Sequence, residues 1–356
     1  MELPRPAKTS RFVTIRRRLI FICGEFVLGI VLLVVLPAAL VLALIVDVAL
    51  RRWGLGTVRF VLMALAFLWI EIACHLWAFV SWVRFGFGTR IWTAAGQKSS
   101  NAIVRFWIVA MMRALGILGA RFVYVGDKSS GDGPVITAAR HQSFADVYMP
   151  TRFLLDSGRD IRVVLASQLR NEPALDVVGH RTPQFFVKRD GADMRREVEG
   201  ISRMTQAAAD NTGFCIFPEG GLARPKRRTR IIERLDKDRP DLAIRARALD
   251  HLLAPRVAGL SAMLDGVPTA PVIITGHVGF EQLTAPKAAW RAVPLKHKIE
   301  IRTWYHERST IPDGSAEREL WLFDQWEMMD RWIDERMRAR NDNQSSTLKE
   351  TTESTK

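Results

Sequence analysis

The chain has 356 residues, 48% of them hydrophobic, with 51 lysines and arginines against 37 aspartates and glutamates, a formal net charge of +14. That length suits one or two domains with a sizeable core, and the charge calls for acidic partners: anionic lipid, phosphorylated small molecules or nucleic acid. Three cysteines, Cys23, Cys74 and Cys215, none in a CxxC spacing, exclude a disulfide framework and a cysteine metal site and point to a reducing, cytosolic setting.

The first 18 residues are polar and basic, ending in Arg16, Arg17 and Arg18. An apolar run follows from Leu19 to Val46. At about 1.5 Å per residue, about 28 residues of helix exceed the roughly 30 Å hydrocarbon core of a bilayer, an excess that tilt or a kink at Pro37 absorbs. A second apolar run, Phe60 to Trp82, comes after the turn-like link Arg51-Arg52-Trp53-Gly54-Leu55-Gly56. The first run is too long for a signal peptide's apolar core, and the two together read as a membrane-embedded helical hairpin. Arginines at its outer ends (Arg16, Arg17, Arg18, Arg84, Arg90) favour the cytosol for both termini, while Arg51, Arg52 and Arg59 in the link leave a shallow, non-crossing hairpin open. Glu71 and His75 lie four positions apart on one helical face and are expected to satisfy each other against the first helix. Residues 102 to 119 form a third apolar stretch interrupted by Arg105 and Arg113, which reads as an amphipathic helix on the bilayer surface or beneath the globular domain.

From Arg121 the composition is globular. Strand-like runs occur at 122–125, 135–138, 161–165, 184–187, 214–217, 272–274 and 298–302, with helical stretches between several of them, such as 193–210. The alternation predicts an α/β domain with a largely parallel or mixed sheet. A helix over Ala316–Arg338, with Trp321, Trp326 and Trp332, closes it, and the polar residues from 340 onward are expected to be disordered. The boundaries are then a basic segment at 1–18, the hairpin at 19–85, a linker helix at 86–120, the globular domain at 121–339 and the tail at 340–356.

The stretch Arg140-His141-Gln142-Ser143-Phe144-Ala145-Asp146 follows the strand-like 135–138 run. On one continuous helix, five steps of about 100° would put His141 and Asp146 on different faces. They meet only if a helix begins after His141, and Ser143 is a suitable N-cap. The same spacing, Ser143-x-x-Asp146, also fits a capping box in which Asp146 merely accepts from backbone donors. Three more clusters border strands: Phe186-Val187-Lys188-Arg189, Phe217-Pro218-Glu219-Gly220-Gly221 with the basic run Arg224 to Arg230 after it, and Val267-Pro268-Thr269-Ala270-Pro271-Val272. Loops at the carboxyl ends of strands in an open α/β sheet converge on one crevice, which predicts that His141, Arg189 and Glu219 share a site.

These blocks, in this order, resemble the glycerolipid acyltransferases. Residues 140–146 look like that family's N-H-x-S-x-x-D block, 186–189 its F-[IV]-x-R block, 217–220 its F-P-E-G block and 267–272 its proline-containing block; within the family, lysophosphatidic acid acyltransferases are most similar. The chain departs at Arg140, where the family has asparagine, at Pro183, where a glycine is usual, and at Leu222, the place of the family's second arginine. The resemblance implies a membrane-bound enzyme that transfers an acyl group from acyl-CoA or acyl carrier protein to a lysophospholipid hydroxyl, with the acyl carrier as co-substrate and no cofactor or metal. His141 and Asp146 then carry the catalysis, and Ser143, Arg189, Glu219, Gly220 and Arg224 contact or frame the substrates. It also implies a cytosolic face, at the inner membrane if the source is bacterial. Two other classes remain: a hydrolase with Ser143 as nucleophile, which lacks the G-x-S-x-G elbow, and a non-catalytic basic membrane adaptor. No nucleic-acid-binding motif accompanies the charge.

Overall fold

The computed structural model describes residues 3, 11–127, 132–187, 194–281, 283 and 286–353. Two long helices come first, α1 (Arg11–Ala49) with Pro37 inside it and α2 (Gly56–Arg84), then α3 (Ala94–Leu115). The globular part follows as β1 (Phe122–Gly126), β2 (Val135–Ala139), α4 (Tyr148–Asp156), β3 (Asp160–Ala166), α5 (Pro173–Gly179), β4 (Phe185–Val187), α6 (Met194–Thr205), β5 (Thr212–Ile216), α7 (Pro225–Asp238), α8 (Pro240–Ala248), α9 (Val257–Gly266), β6 (Val272–Val278), α10 (Pro286–Ala292), β7 (Ile299–His306) and α11 (Ser315–Glu353).

The seven strands form one sheet in the order β1-β7-β6-β2-β5-β3-β4, so the mixed sheet expected of the α/β domain is present. Neighbouring strands are parallel except β6 and β7, which reverses β7 and its partner β1 against the other five. The central strands β2, β5 and β6 are buried along their whole length, as their unbroken apolar runs require of strands covered on both faces. Their alternate residues feed two cores. Ile136, Phe214, Val272 and Ile274 pack with α9 and α11 through Leu260, Met263 and Trp326. Val135, Cys215, Ile273 and the β3 residues Ile161, Val163 and Leu165 pack with α3 and α5 through Ile103, Trp107, Met111 and Val177.

Three helical stretches, Phe12–Ala49, Gly56–Arg84 and Ala94–Leu118, are long and apolar enough to cross a membrane. The third was expected to lie on the bilayer or under the domain. It begins earlier than residue 102, where Thr93 caps it by accepting from the Gly96 N–H, and it packs under the sheet with Ile103, Ile108 and Met111 almost fully buried. α2 lies along α3, and α1 lies outside α2 with most of its large apolar side chains exposed. Both ends of this hairpin are tied to the domain. At one end Arg17 and Arg18 donate to Asp176 of α5, at 2.6 and 2.7 Å, and Arg181 donates to the Ala78 carbonyl. At the other, Arg52 donates to the Trp290 and Val293 carbonyls and stands over the Trp290 ring, while Arg59 donates to the Ile117 carbonyl.

Two expectations change. Glu71 and His75 do not satisfy each other. Glu71 accepts from the Trp107 indole and the Ala174 N–H, and His75 faces Glu25 of α1 at 3.2 Å. Side chains four apart share a face but turn to whatever lies opposite, and here those are different elements. The polar stretch 340–353, expected to be disordered, continues α11. It holds neither glycine nor proline, so nothing in it stops a helix already nucleated by the packed Trp321, Trp326 and Trp332.

Candidate active site

β2 ends at Ala139, and the chain turns out of the sheet through Arg140, His141 and Gln142. Ser143, with extended backbone, caps a single 3-10 turn over Phe144–Val147 that runs on into α4. The break after His141 is what lets a five-residue spacing close. His141 Nδ1 stands 3.6 Å from Asp146 Oδ2, an ion-pair contact slightly longer than a hydrogen bond. The capping box is present as well. The Ser143 N–H (2.6 Å) and the Gln142 N–H donate to Asp146 Oδ2, and the Ser143 hydroxyl donates to Oδ1 at 2.5 Å. Asp146 therefore does both jobs that its spacing suggested.

Asp146 is 1% exposed. Burial alone would push its carboxyl up, but the two facing imidazoles, His277 and His141, hold it well below the usual carboxylate range. His277 comes from β6, with Nε2 3.3 Å from Asp146 Oδ1. No motif pointed to it. The available signal was a histidine one residue from the carboxyl end of a buried strand, where open α/β sheets place their sites.

Glu219 follows β5 and is fully buried. Its carboxylate joins two loops, accepting from the His141 N–H at 2.8 Å and the Leu253 N–H at 3.1 Å. Burial pushes its carboxyl up to about 8, against the pull of those two donors and Arg140. Glu219 thus fixes the backbone of His141 and sits behind the site. The ring of Phe217 lies 4.6 Å from that of His141. Gly220 has φ of +65°, the left-handed region glycine tolerates, and turns the chain so that the Ala223 N–H donates to the His141 carbonyl.

The cations fall differently from the sequence reading. Arg189 lies outside the described residues. Arg224 is exposed as the N-cap residue of α7, with no side-chain capping bond. Arg227, one helical turn on, reaches back to donate to the Gly220 carbonyl at 2.9 Å. Arg256, preceding α9, approaches from the other side: a Cβ added at Gly220 would stand 3.5 Å from Arg227 Nη2 and 3.6 Å from Arg256 Cζ. Ser143, expected at the substrate, is buried with its hydroxyl committed to Asp146. The proline-containing segment 267–272 lies at the amino end of β6, at the far end of the sheet from His141, where Thr269 and Pro271 border a polar hollow with Arg159 and Tyr305.

An apolar cavity opens behind the site between α3, α5 and β3. Its lining includes Val147, next to Asp146, with Trp107, Val163, Leu165 and Val178. Among the described residues no group of His, Cys, Asp and Glu is arranged to hold a metal ion. The arrangement as a whole is a buried carboxylate facing a partly accessible imidazole, beside paired guanidinium groups and an apolar interior. That is equipment for moving a proton off a hydroxyl near an anionic group.

Residues 121–275 match the protein-family model described as Acyltransferase. Among curated proteins and solved structures the chain finds no match.

Proposed function

We propose, from the acyltransferase-family domain that residues 121–275 carry, that this protein moves a fatty acyl group from an acyl thioester, on coenzyme A or acyl carrier protein, to the free hydroxyl of a lysophospholipid. Lysophosphatidic acid, giving phosphatidic acid for phospholipid biosynthesis, is the acceptor that fits best. The observation that carries the reading is the His141–Asp146 pair at the mouth of the β2 turn, with the Arg227–Arg256 pair beside it.

An alcohol is a poor nucleophile at neutral pH. His141, held through Nδ1 by Asp146, takes the acceptor's O–H proton on its other ring nitrogen as the oxygen attacks the thioester carbonyl carbon. The tetrahedral intermediate collapses with cleavage of the C–S bond, and the imidazolium returns the proton to the departing thiolate. General base catalysis of this kind contributes about 10² to 10⁴-fold. The amides of Gln142 and Ser143 are taken by Asp146 and cannot hold the oxyanion. Of the amides that follow Gly220, that of Ala223 is taken by the His141 carbonyl, which leaves those of Gly221 and Leu222 as the candidate donors. Ser143 has no free hydroxyl for a hydrolase mechanism, since its proton is donated to Asp146.

A phosphate monoester on the acceptor suits forked guanidinium contacts, supplied by Arg227 and Arg256, with Arg189 and the exposed Arg224 as further candidates. The exposed apolar flank of α1 needs a bilayer to cover it. Arg18 and Arg52 are 34 residues apart, about 50 Å of helix, yet both dock on one domain. A hairpin spanning a hydrocarbon core of about 30 Å would carry one of those ends away, which favours a hairpin lying along one leaflet beneath the domain.

An acceptor panel tests the reading. Purified protein in detergent is given labelled acyl-CoA or acyl-ACP with lysophosphatidic acid, lysophosphatidylglycerol, lysophosphatidylcholine and monoacylglycerol. Preferred acylation of lysophosphatidic acid is expected. Release of free fatty acid with no acylated lipid would indicate a hydrolase, and no turnover of the thioester at all would indicate an adaptor.

A further inference from the structure

β6 overhangs the end of β2. The Arg140 N–H donates to the Thr275 carbonyl at 3.0 Å, and two residues later β6 presents His277. Alternation fixes its side. Ile274 and Val278 enter the core beneath α9 and α11, whereas Ile273 enters the core beneath α3 and α5, so His277 turns to that second face, over the His141 turn. There it is 2% exposed, its ring edge-on to Phe280 at 6.0 Å, with Nε2 3.3 Å from Asp146 Oδ1. A buried imidazole with nothing to bond is costly, and neither ring nitrogen makes a contact of full hydrogen-bond geometry; the 3.3 Å approach of Nε2 to Asp146 is an ion-pair contact. Asp146 is what His277 faces.

We infer that His277 is a positioning residue for the His141–Asp146 pair: its Nε2 edge lies against Asp146 Oδ1 and fixes the plane of the carboxylate so that Oδ2 meets His141. The inference rests on the reading of His141 as the base. The remaining charges around the ring are Arg140, which donates to the His277 carbonyl and faces Glu281 at 3.4 Å, Glu219 behind the His141 backbone, and Arg340 of α11, which donates to the Val278 carbonyl. The His277 ring against Oδ1 draws part of the field of Asp146 away from His141. Removing that contact returns the field to His141 and makes the imidazole more basic.

The test uses the full-length protein and three substitutions. His277→Gln can place an amide N–H near the position of Nε2. His277→Asn is a methylene shorter and falls short of Oδ1. His277→Leu keeps bulk and loses the donor. For Asn and Leu, kcat per folded molecule should fall about tenfold, short of the roughly hundredfold that a 1 Å misplacement can cost. KM for both substrates should stay within about twofold, and the acid limb of the kcat/KM profile should move up by about half a pH unit. Gln should keep both the rate and the limb near wild type. If the Leu protein does not fold, the Gln and Asn pair decides. An unmoved acid limb and wild-type kcat in every variant that folds, whatever the loss in melting temperature, would overturn the inference. Absence of acyl transfer in the wild type, or full activity in His141→Ala, would overturn the reading of the base itself.

Discussion

Asp146 meets two demands with one carboxylate, and its substitutions follow from that. Its Oδ2 accepts two backbone N–H groups and also faces His141. In Asp146→Asn an amide N–H must oppose either those donors or the Ser143 hydroxyl proton. We expect kcat to fall by about 10² to 10⁴-fold and the melting temperature to fall with it. A stable protein of normal rate would remove Asp146 from the mechanism. Ser143→Ala is expected to cost about 1 kcal/mol of stability through the lost cap while retaining most of the turnover per folded molecule. Loss of all turnover at unchanged stability would instead make Ser143 the nucleophile. Glu219 carries the pH signature. Its carboxyl is raised from an ordinary 4.5 to about 8, so between those values the folded chain holds a proton that the unfolded chain has released. The stability this provides is present at low pH and is lost as pH rises toward 8, by up to about 1.4 kcal/mol per pH unit. Glu219→Gln has no such proton. Unfolding measured in detergent from pH 5 to 8 should show a flatter profile for Glu219→Gln, and an identical slope would refute the assignment.

At the scale of elements, the β5–α7 turn and the loop before α9 bring the Arg227 and Arg256 guanidinium groups together at Gly220. Arg227→Ala and Arg256→Ala are each expected to raise KM for lysophosphatidic acid by roughly ten- to a hundredfold, the cost of one charge-assisted contact, with a smaller change for the acyl donor. Lysine at either position should restore only part, because an ammonium cannot make the forked contact. Equal effects on both substrates would place these arginines in support of the turn alone. Arg224→Ala should have the smaller effect, since Arg224 stands exposed at the start of α7. Sequence reading identified the basic run but not which arginine turns inward. Arg224 is nearest to Glu219 along the chain, whereas the helical rise of α7 brings back Arg227. The seven strands were all legible because buried apolar runs between turns leave few other readings. His277 was not, because its meaning depends on β6 lying beside β2, a pairing between residues more than a hundred apart. The reach of α11 was hidden too, since composition describes a free peptide and not a helix extended from a packed one.

For the molecule as a whole, the arginines flanking the hairpin were read as a topology signal, and in the fold several are docking contacts. Arg17 and Arg18 bind Asp176, and Arg52 and Arg59 bind carbonyls near α10 and after α3. Deleting residues 1–85 would strip Glu71 from Trp107 and Ala174 and uncover α3, so the truncated protein should aggregate. Labelling of the intact chain is more informative. In a Cys23→Ser background, with Cys74 and Cys215 buried, Arg51→Cys at the hairpin tip and Ile244→Cys on α8 report the two ends. A membrane-impermeant thiol reagent should reach both from the same side of sealed vesicles. Labelling from opposite sides would mean that the hairpin crosses.

The central claim is that His141, oriented by Asp146, draws the proton from a lysolipid hydroxyl as it attacks an acyl thioester. Its most direct test is a single-turnover measurement of labelled acyl-CoA and lysophosphatidic acid with wild-type and His141→Gln protein, both shown to be folded by their melting transitions. The account predicts labelled phosphatidic acid from the wild type and a rate at least about a hundredfold lower from His141→Gln, with acceptor binding retained. Transfer at an undiminished rate by folded His141→Gln would contradict it.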